Sequence, residues 1–256
     1  MKLRITLTLA LLAAALHGAR AAETPEPTAG DIWVEPRTGI EFVRIPGGCF
    51  SMGDDNGEKD EVPTHPVCVK DFYLGRYEVT QGQFRLLSGI NPSKFTGEDR
   101  PVEMVSYQII KDALAQFNNK TGGHFRLPSE AEWEYACRAG GQHREYCGEG
   151  NLDDLAWYGA TREAGTTHPV GQKQPNRFGL YDMSGNVWEW VEDCYHPGYR
   201  GAPDDGSAWQ WQCKRHVLRG GSWGDFPVYT RAANRSFCVP NGKGEHDGFR
   251  MAVTLP

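Results

Sequence analysis

Helical periodicity is confined to the first half of the chain. Gln83, Phe84 and Leu87 follow Thr80 at helical spacing, and Gly89 and Pro92 close the run, which predicts a short capped helix. A longer helix opens at Ser106, with Ile109, Ile110, Ala113, Leu114 and Phe117 on one face and Gly122 as its stop. The clearest start is Pro128-Ser129-Glu130-Ala131-Glu132, where serine and glutamate form a capping box and Gly140 ends the helix after Arg138. Short apolar stretches at residues 42–45, 67–69, 72–77, 188–191, 217–218 and 251–253 predict strands. From residue 140 onward, Gly, Pro, Asn and Asp turns alternate with aromatics. Local propensity cannot hold such a stretch, so side-chain networks, disulfides or bound ions must. No repeat of solenoid period and no dividing linker is visible. The expected class is α+β with low regular content.

Residues 1–21 carry Lys2, Arg4 and Arg20 and no acid, around an apolar run at residues 5–16 and a small-residue exit at Ala19-Arg20-Ala21. That pattern is expected of a cleaved export signal, and its apolar run is too short to span a bilayer. Residues 22–38 read as a flexible leader and 39–256 as one domain. The full chain carries 27 Lys+Arg against 33 Asp+Glu; without the signal, 24 cations face 33 anions, a charge of −9. A chain this acidic is not expected to bind nucleic acid. With no later apolar run and no cysteine before Cys49, no direct membrane anchor is expected. Localisation in the periplasm follows.

Seven cysteines in an exported chain point to disulfides. Closeness in sequence favours Cys49 with Cys68, Cys137 with Cys147 and Cys194 with Cys213, leaving Cys238 over; this is one of roughly a hundred pairings.

The densest cluster is Asn176-Arg177-Phe178-Gly179-Leu180-Tyr181-Asp182-Met183-Ser184-Gly185-Asn186-Val187-Trp188-Glu189-Trp190. Asp182 and Glu189 flank a glycine-containing turn, so two carboxylates and the carbonyls between them can converge on calcium, which takes six to eight oxygens in irregular geometry. Alternatively Asp182 caps the turn and Glu189 pairs with an arginine. A second acidic stretch at residues 54–61 fails as an EF-hand, with glycine at the fourth position instead of the sixth, and is expected to be a solvated loop. Arg219, Arg231, Arg235 and Arg250 gather late in the chain among Trp223, Tyr229 and Phe249. They either line an anion or glycan pocket, with Trp223, Asp225, Arg231 and Arg235 as its candidates, or neutralise acids such as Asp182, Glu189 and Glu134. The neutralising role is favoured. No nucleophile–base pair or phosphate loop is placed by sequence, so no catalytic residue is assigned.

Taken in order, the segments resemble the formylglycine-generating-enzyme, or sulfatase-modifying-factor, family. They run from Phe42-Val43-Arg44-Ile45-Pro46-Gly47-Gly48 and Phe50-Ser51-Met52-Gly53 through Tyr77-Glu78-Val79-Thr80 and Arg126-Leu127-Pro128-Ser129-Glu130-Ala131-Glu132-Trp133-Glu134. They continue with the block at residues 176–190 and close at Arg219-Gly220-Gly221-Ser222-Trp223 and Gly248-Phe249-Arg250. The resemblance implies one compact, C-type-lectin-like domain with structural calcium, held by the side chains of Asp182 and Glu189 and the carbonyls of Gly185 and Val187. A second family calcium site, starting at Asn151-Leu152, loses its later aspartate near Arg162 and is not expected to survive. The family's enzymes bind copper(I) through two cysteines after the Gly-Gly-Ser-aromatic motif. An ungapped alignment puts Asp225 and Thr230 there, so copper and formylglycine formation are not expected.

The resemblance leaves three functions open. One is a non-catalytic regulator of an envelope or periplasmic protein partner, similar to a periplasmic regulator of type VI secretion kinase signalling. Another is a periplasmic oxidase-type enzyme of the same fold with non-cysteine chemistry, similar to the member required for oxidation of the pyoverdine chromophore precursor. The third is a glycan- or peptide-binding module. The acidic composition and the lack of an acid/base pair favour the regulator.

Overall fold

The computed structural model describes residues 31–159 and 165–254. The expected signal, the first part of the leader and Arg162 lie outside them. In chain order the structure runs β1 (Ile32–Val34), β2 (Glu41–Ile45), β3 (Gly48–Met52), β4 (His65–Val69), β5 (Phe72–Gly75), α1 (Gln81–Ser88) and α2 (Tyr107–Thr121). Then come β6 (Phe125–Arg126), α3 (Glu130–Cys137), α4 (Leu152–Leu155), β7 (Trp188–Cys194) and β8 (His216–Arg219). A 3-10 turn (Pro227–Thr230), β9 (Arg235–Cys238), β10 (Asp247–Gly248) and β11 (Ala252–Thr254) complete it. The domain begins earlier than residue 39: Ile32, assigned by sequence to the leader, pairs with Val43 in an edge strand.

Helix ends lie where capping chemistry put them. Thr80 caps α1 with a reciprocal Gln83 box, and Gly89 closes it in the left-handed conformation. Ser106 caps α2 by accepting from the Ile109 amide, without a reciprocal box, and Gly122 closes it in the left-handed conformation. Ser129 and Glu132 form the box of α3, which ends at Arg138.

One sheet has the order β1-β2-β5-β11-β6, a second β10-β7-β8-β9, and β3 pairs with β4 alone. The period of two along each strand sends alternate residues into two apolar cores. Val43, Ile45, Val191 and Val217 join the core around Trp133. Phe42, Trp190 and Leu218 join the other, under Phe84, Ile110, Leu114 and Phe117 of α1 and α2. The helix α3 packs against β3, β4, β7 and β8, and every one of its residues is buried. Its three glutamates therefore need cationic partners, and that requirement organises the loops.

Candidate functional site

All three acids of α3 are answered by arginine. Glu130 takes two hydrogen bonds from Arg235 at 2.6 and 2.9 Å. Glu132 takes two from Arg126 at 2.7 and 2.8 Å. Glu134 is shared by Arg138 at 2.8 Å and by Arg219. Arg219 then donates to the carbonyls of Ala232, Ala233 and Asn234, so the charge chain ends by fixing an irregular loop. Arg231 pairs with Glu61 at 2.6 and 3.0 Å. Here the sequence expectation is corrected: Glu61 ends the acidic stretch fully buried rather than solvated, because the 54–61 loop closes over Arg231.

These ion pairs also dissolve the candidate ligand pocket. The Arg235 side chain has no exposed surface and Arg231 has little, so neither guanidinium offers itself to a ligand. Trp223 belongs to a different cluster, stacked on His246 at 4.6 Å and edge-on to Phe95 at 5.5 Å.

The 182–189 loop is built from left-handed backbone at Asp182, Gly185 and Asn186. A Cβ at Gly185 would sit 2.2 Å from the Trp157 carbonyl oxygen, so no other residue fits. Asp182 accepts from the Gly171 amide at 2.7 Å through Oδ2, while its buried Oδ1 has no partner among the described residues. Glu189 takes Arg250 through both oxygens at 2.7 Å and the Trp133 indole at 2.8 Å. Glu78, which the sequence reading did not single out, completes the group. Fully buried, it accepts from Asn186 at 2.5 Å and from the Val187 amide at 3.0 Å. Burial pushes the Glu78 carboxyl well up, and repulsion from Asp182 and Glu189 adds to it. Burial likewise raises Asp182 to about 6. Three buried carboxylates thus share one guanidinium, Arg250. Nothing in local spacing tied Glu78 to Asn186, 108 residues away.

The Gly-Gly-Ser-Trp segment forms a second polar cluster. Asp225 Oδ2 accepts from the Trp188 indole at 2.8 Å, the Ser222 amide at 3.0 Å and the Ser222 hydroxyl at 2.5 Å. The same hydroxyl lies 3.2 Å from His246 Nδ1. Thr230 is buried and donates to the Pro227 carbonyl at 2.9 Å. Next to this loop, burial and the Asp225 charge raise Asp247 to about 6. On the outside, Phe226, Val228 and Tyr229 stand exposed.

Disulfides join Cys49 to Cys68, Cys137 to Cys147 and Cys194 to Cys213, the three local pairs, and Cys238 is free. Bonds of this kind are what exported proteins carry. Among the described residues no helix is long and apolar enough to cross a membrane.

The model of the sulfatase-modifying factor enzyme 1-like domain matches residues 28–255. The chain belongs to the sulfatase-modifying-factor family. It is 30% identical over 263 residues to chaperone protein LppX of Paenibacillus barcinonensis, covering 82% of this chain and 88% of that protein. It is 29% identical over 314 residues to the formylglycine-generating enzyme of Streptomyces coelicolor, covering 94% and 96%. The solved structure of PvdO from Pseudomonas aeruginosa superposes with a TM-score of 0.79 at 35% identity, over 90% of this chain and all of that one. The sulfatase-modifying-factor fold expected from the ordered motifs is therefore the fold present.

Proposed function

We propose that this chain is an exported binding protein, regulatory in role, that keeps the sulfatase-modifying-factor scaffold without copper–dithiol chemistry. The bonding of Asp225 and Thr230 carries this reading. Both side chains serve their own loop: Asp225 ties the Gly-Gly-Ser-Trp turn to β7 through Trp188, and Thr230 closes the 3-10 turn. Copper(I) needs soft thiolates, and with six of seven cysteines in disulfides one thiol remains. The same loop turns Phe226 (73% exposed), Val228 (43%) and Tyr229 (44%) to solvent. An apolar rim of this kind suits a protein partner in the envelope, such as the outer domain of a sensor kinase of the type VI secretion kind or a lipoprotein.

The test is a photo-crosslinking residue placed at Phe226 and, as control, at Gln116 on the exposed face of α2, in the exported protein in cells. A dominant adduct with an envelope protein from position 226, weakened by Tyr229→Ser, is expected. Equal adducts from both positions contradict the reading.

A second reading, an oxidase-type enzyme with non-cysteine chemistry, is favoured by one feature. The Ser222 hydroxyl bridges Asp225 and His246 next to Asp247, a group poised to exchange protons near pH 6. A small chromophore co-purifying with the protein, and lost in His246→Ala, supports it.

We further propose structural calcium at the 182–189 loop. The residues present fit a hard cation in two ways: Asp182 Oδ1 is a buried acceptor without a donor, and Glu78, Asp182 and Glu189 outnumber Arg250. Glu189 Oε2 takes two donors, Trp133 and Arg250, whereas Oε1 takes one, from Arg250, and so keeps a lone pair for an ion. Asp182, Glu189 Oε1 and the carbonyls of Gly185 and Val187 would hold the ion, which would neutralise the excess charge.

A further inference from the structure

The hairpin between β7 and β8 carries a group that lies outside both the 182–189 loop and the 222–230 loop. Cys194 at the end of β7 stands directly opposite His216 at the start of β8. Cys213 precedes that histidine by three residues, in Cys213-Lys214-Arg215-His216. Two sulfurs and one imidazole therefore converge from a cross-strand pair and a short turn. Their ligand atoms all lie within 4.8 Å of one another, the one such trio of His, Cys, Asp or Glu among the described residues.

One ring nitrogen of the histidine has a backbone partner. Its Nδ1 lies 3.2 Å from the Asp193 carbonyl oxygen, and a proton on that nitrogen satisfies the carbonyl. Nε2 then carries the lone pair, and Cys213 Sγ lies beside the ring, 3.4 Å from Nε2 and 3.7 Å from Nδ1, so this sulfur has to swing towards Nε2 once the disulfide opens. Tyr107 stacks on the ring at 3.5 Å and 10°, so the imidazole cannot turn away. Zinc–sulfur and zinc–nitrogen bonds of about 2.3 and 2.0 Å give tetrahedral edges of roughly 3.5–3.8 Å. The sulfur–nitrogen spacing has the length of one such edge, and the sulfur needs to move into line with the Nε2 lone pair. The two sulfurs, now bonded, need to part to a similar distance. Cys213 lies in an exposed turn that permits this, while Cys194 is buried and fixed.

We propose that Cys194, Cys213 and His216 form a zinc site when the Cys194–Cys213 bond is reduced, so that a disulfide or a metal ion closes this hairpin. The reductant is a dithiol. Its first thiolate attacks the exposed Cys213 sulfur, forming a mixed disulfide and expelling the Cys194 thiolate. Its second thiol displaces Cys213, and the reductant departs as a disulfide, having passed two electrons to the pair. Zn²⁺ then binds both thiolates and neutral His216, the two thiol protons go to solvent, and water takes the fourth position. The enclosed loop contributes His196, Trp209 and Trp211 to a cleft of about 470 Å³ facing Asp55 and Pro63, so either closure holds that wall in place.

The test uses the mature protein, reduced anaerobically with a phosphine, and Co²⁺ as the spectroscopic stand-in for Zn²⁺. Reduced wild type is expected to bind one more metal ion per chain than oxidised wild type, with thiolate-to-cobalt charge-transfer bands. His216→Gln, with the same thiol count, is expected to bind that ion at least tenfold more weakly. It retains the other four disulfide cysteines and so controls for metal bound there. Cys213→Ser, a change at an exposed position, is a second variant and is expected to lose the same bands. Bands and stoichiometry unchanged in either variant, or equal in oxidised and reduced wild type, overturn the site.

Discussion

Arg250 grips Glu189 with two hydrogen bonds of 2.7 Å, deep in the protein where neither side chain meets solvent. The same guanidinium donates to the carbonyls of Gly75 at 3.0 Å and Tyr181 at 2.9 Å, and so joins the end of β5, the start of the 182–189 loop and β7. One charged group thereby fixes three segments that have little regular structure of their own.

Removing that guanidinium strands the acids around it. Arg250→Met is expected to cost about 3–5 kcal/mol, the range for breaking one side of a buried pair, because Glu189 and Asp182 keep their charge without a partner. Urea denaturation measures it. A loss below about 1 kcal/mol means that the acids take up protons instead of relying on Arg250.

Calcium is the other means of balancing this group. Excess EDTA is expected to lower the melting temperature of the wild type, and added Ca²⁺ to restore it, with a stabilisation that grows with the logarithm of ion concentration. Asp182→Asn is expected to abolish the response. An unchanged melting temperature in EDTA counts against the ion.

Asp247 introduces a pH dependence of known sign. Its folded-state value, about 6, stands above the ordinary aspartate value of 3.8, so the folded protein binds the proton more tightly than the unfolded chain. Its contribution is complete at low pH and is lost as pH rises from about 4 through 6. Asp247→Asn is expected to flatten that part of the stability profile, by on the order of 2 kcal/mol between pH 4 and 7. A variant with the wild-type slope contradicts the assignment.

Burial orders the disulfides. Cys137 and Cys147 lie in the core, at 1% and 4% exposure, whereas Cys49 and Cys68 face solvent. Graded reduction with alkylation and peptide mapping is expected to release Cys49–Cys68 before Cys137–Cys147, since exchange requires access. The reverse order contradicts this packing.

Much of the fold was legible because its helices carry their own punctuation. Thr80 with Gly89, Ser106 with Gly122, and the Ser129–Glu132 box define α1, α2 and the start of α3 by local chemistry alone. β1 and β9 were not legible. Ile32–Val34 is exposed along its length, and Arg235–Cys238 carries a buried arginine whose partner, Glu130, is 105 residues away. The candidate site divides in the same way. Asp182, Gly185 and Glu189 share one short loop and are visible as a motif. Glu78 and Glu61 reach their partners, Asn186 and Arg231, across 108 and 170 residues, and no periodicity records such a contact.

The most direct measurement incubates the mature, disulfide-intact protein with copper(I), oxygen and a peptide bearing a sulfatase-type cysteine, and reads the product by mass spectrometry. With Asp225 and Thr230 committed to their own loop, the expected result is a peptide that keeps its thiol. Catalytic conversion of that cysteine to the aldehyde, turning over many times per chain, would contradict a scaffold retained for binding.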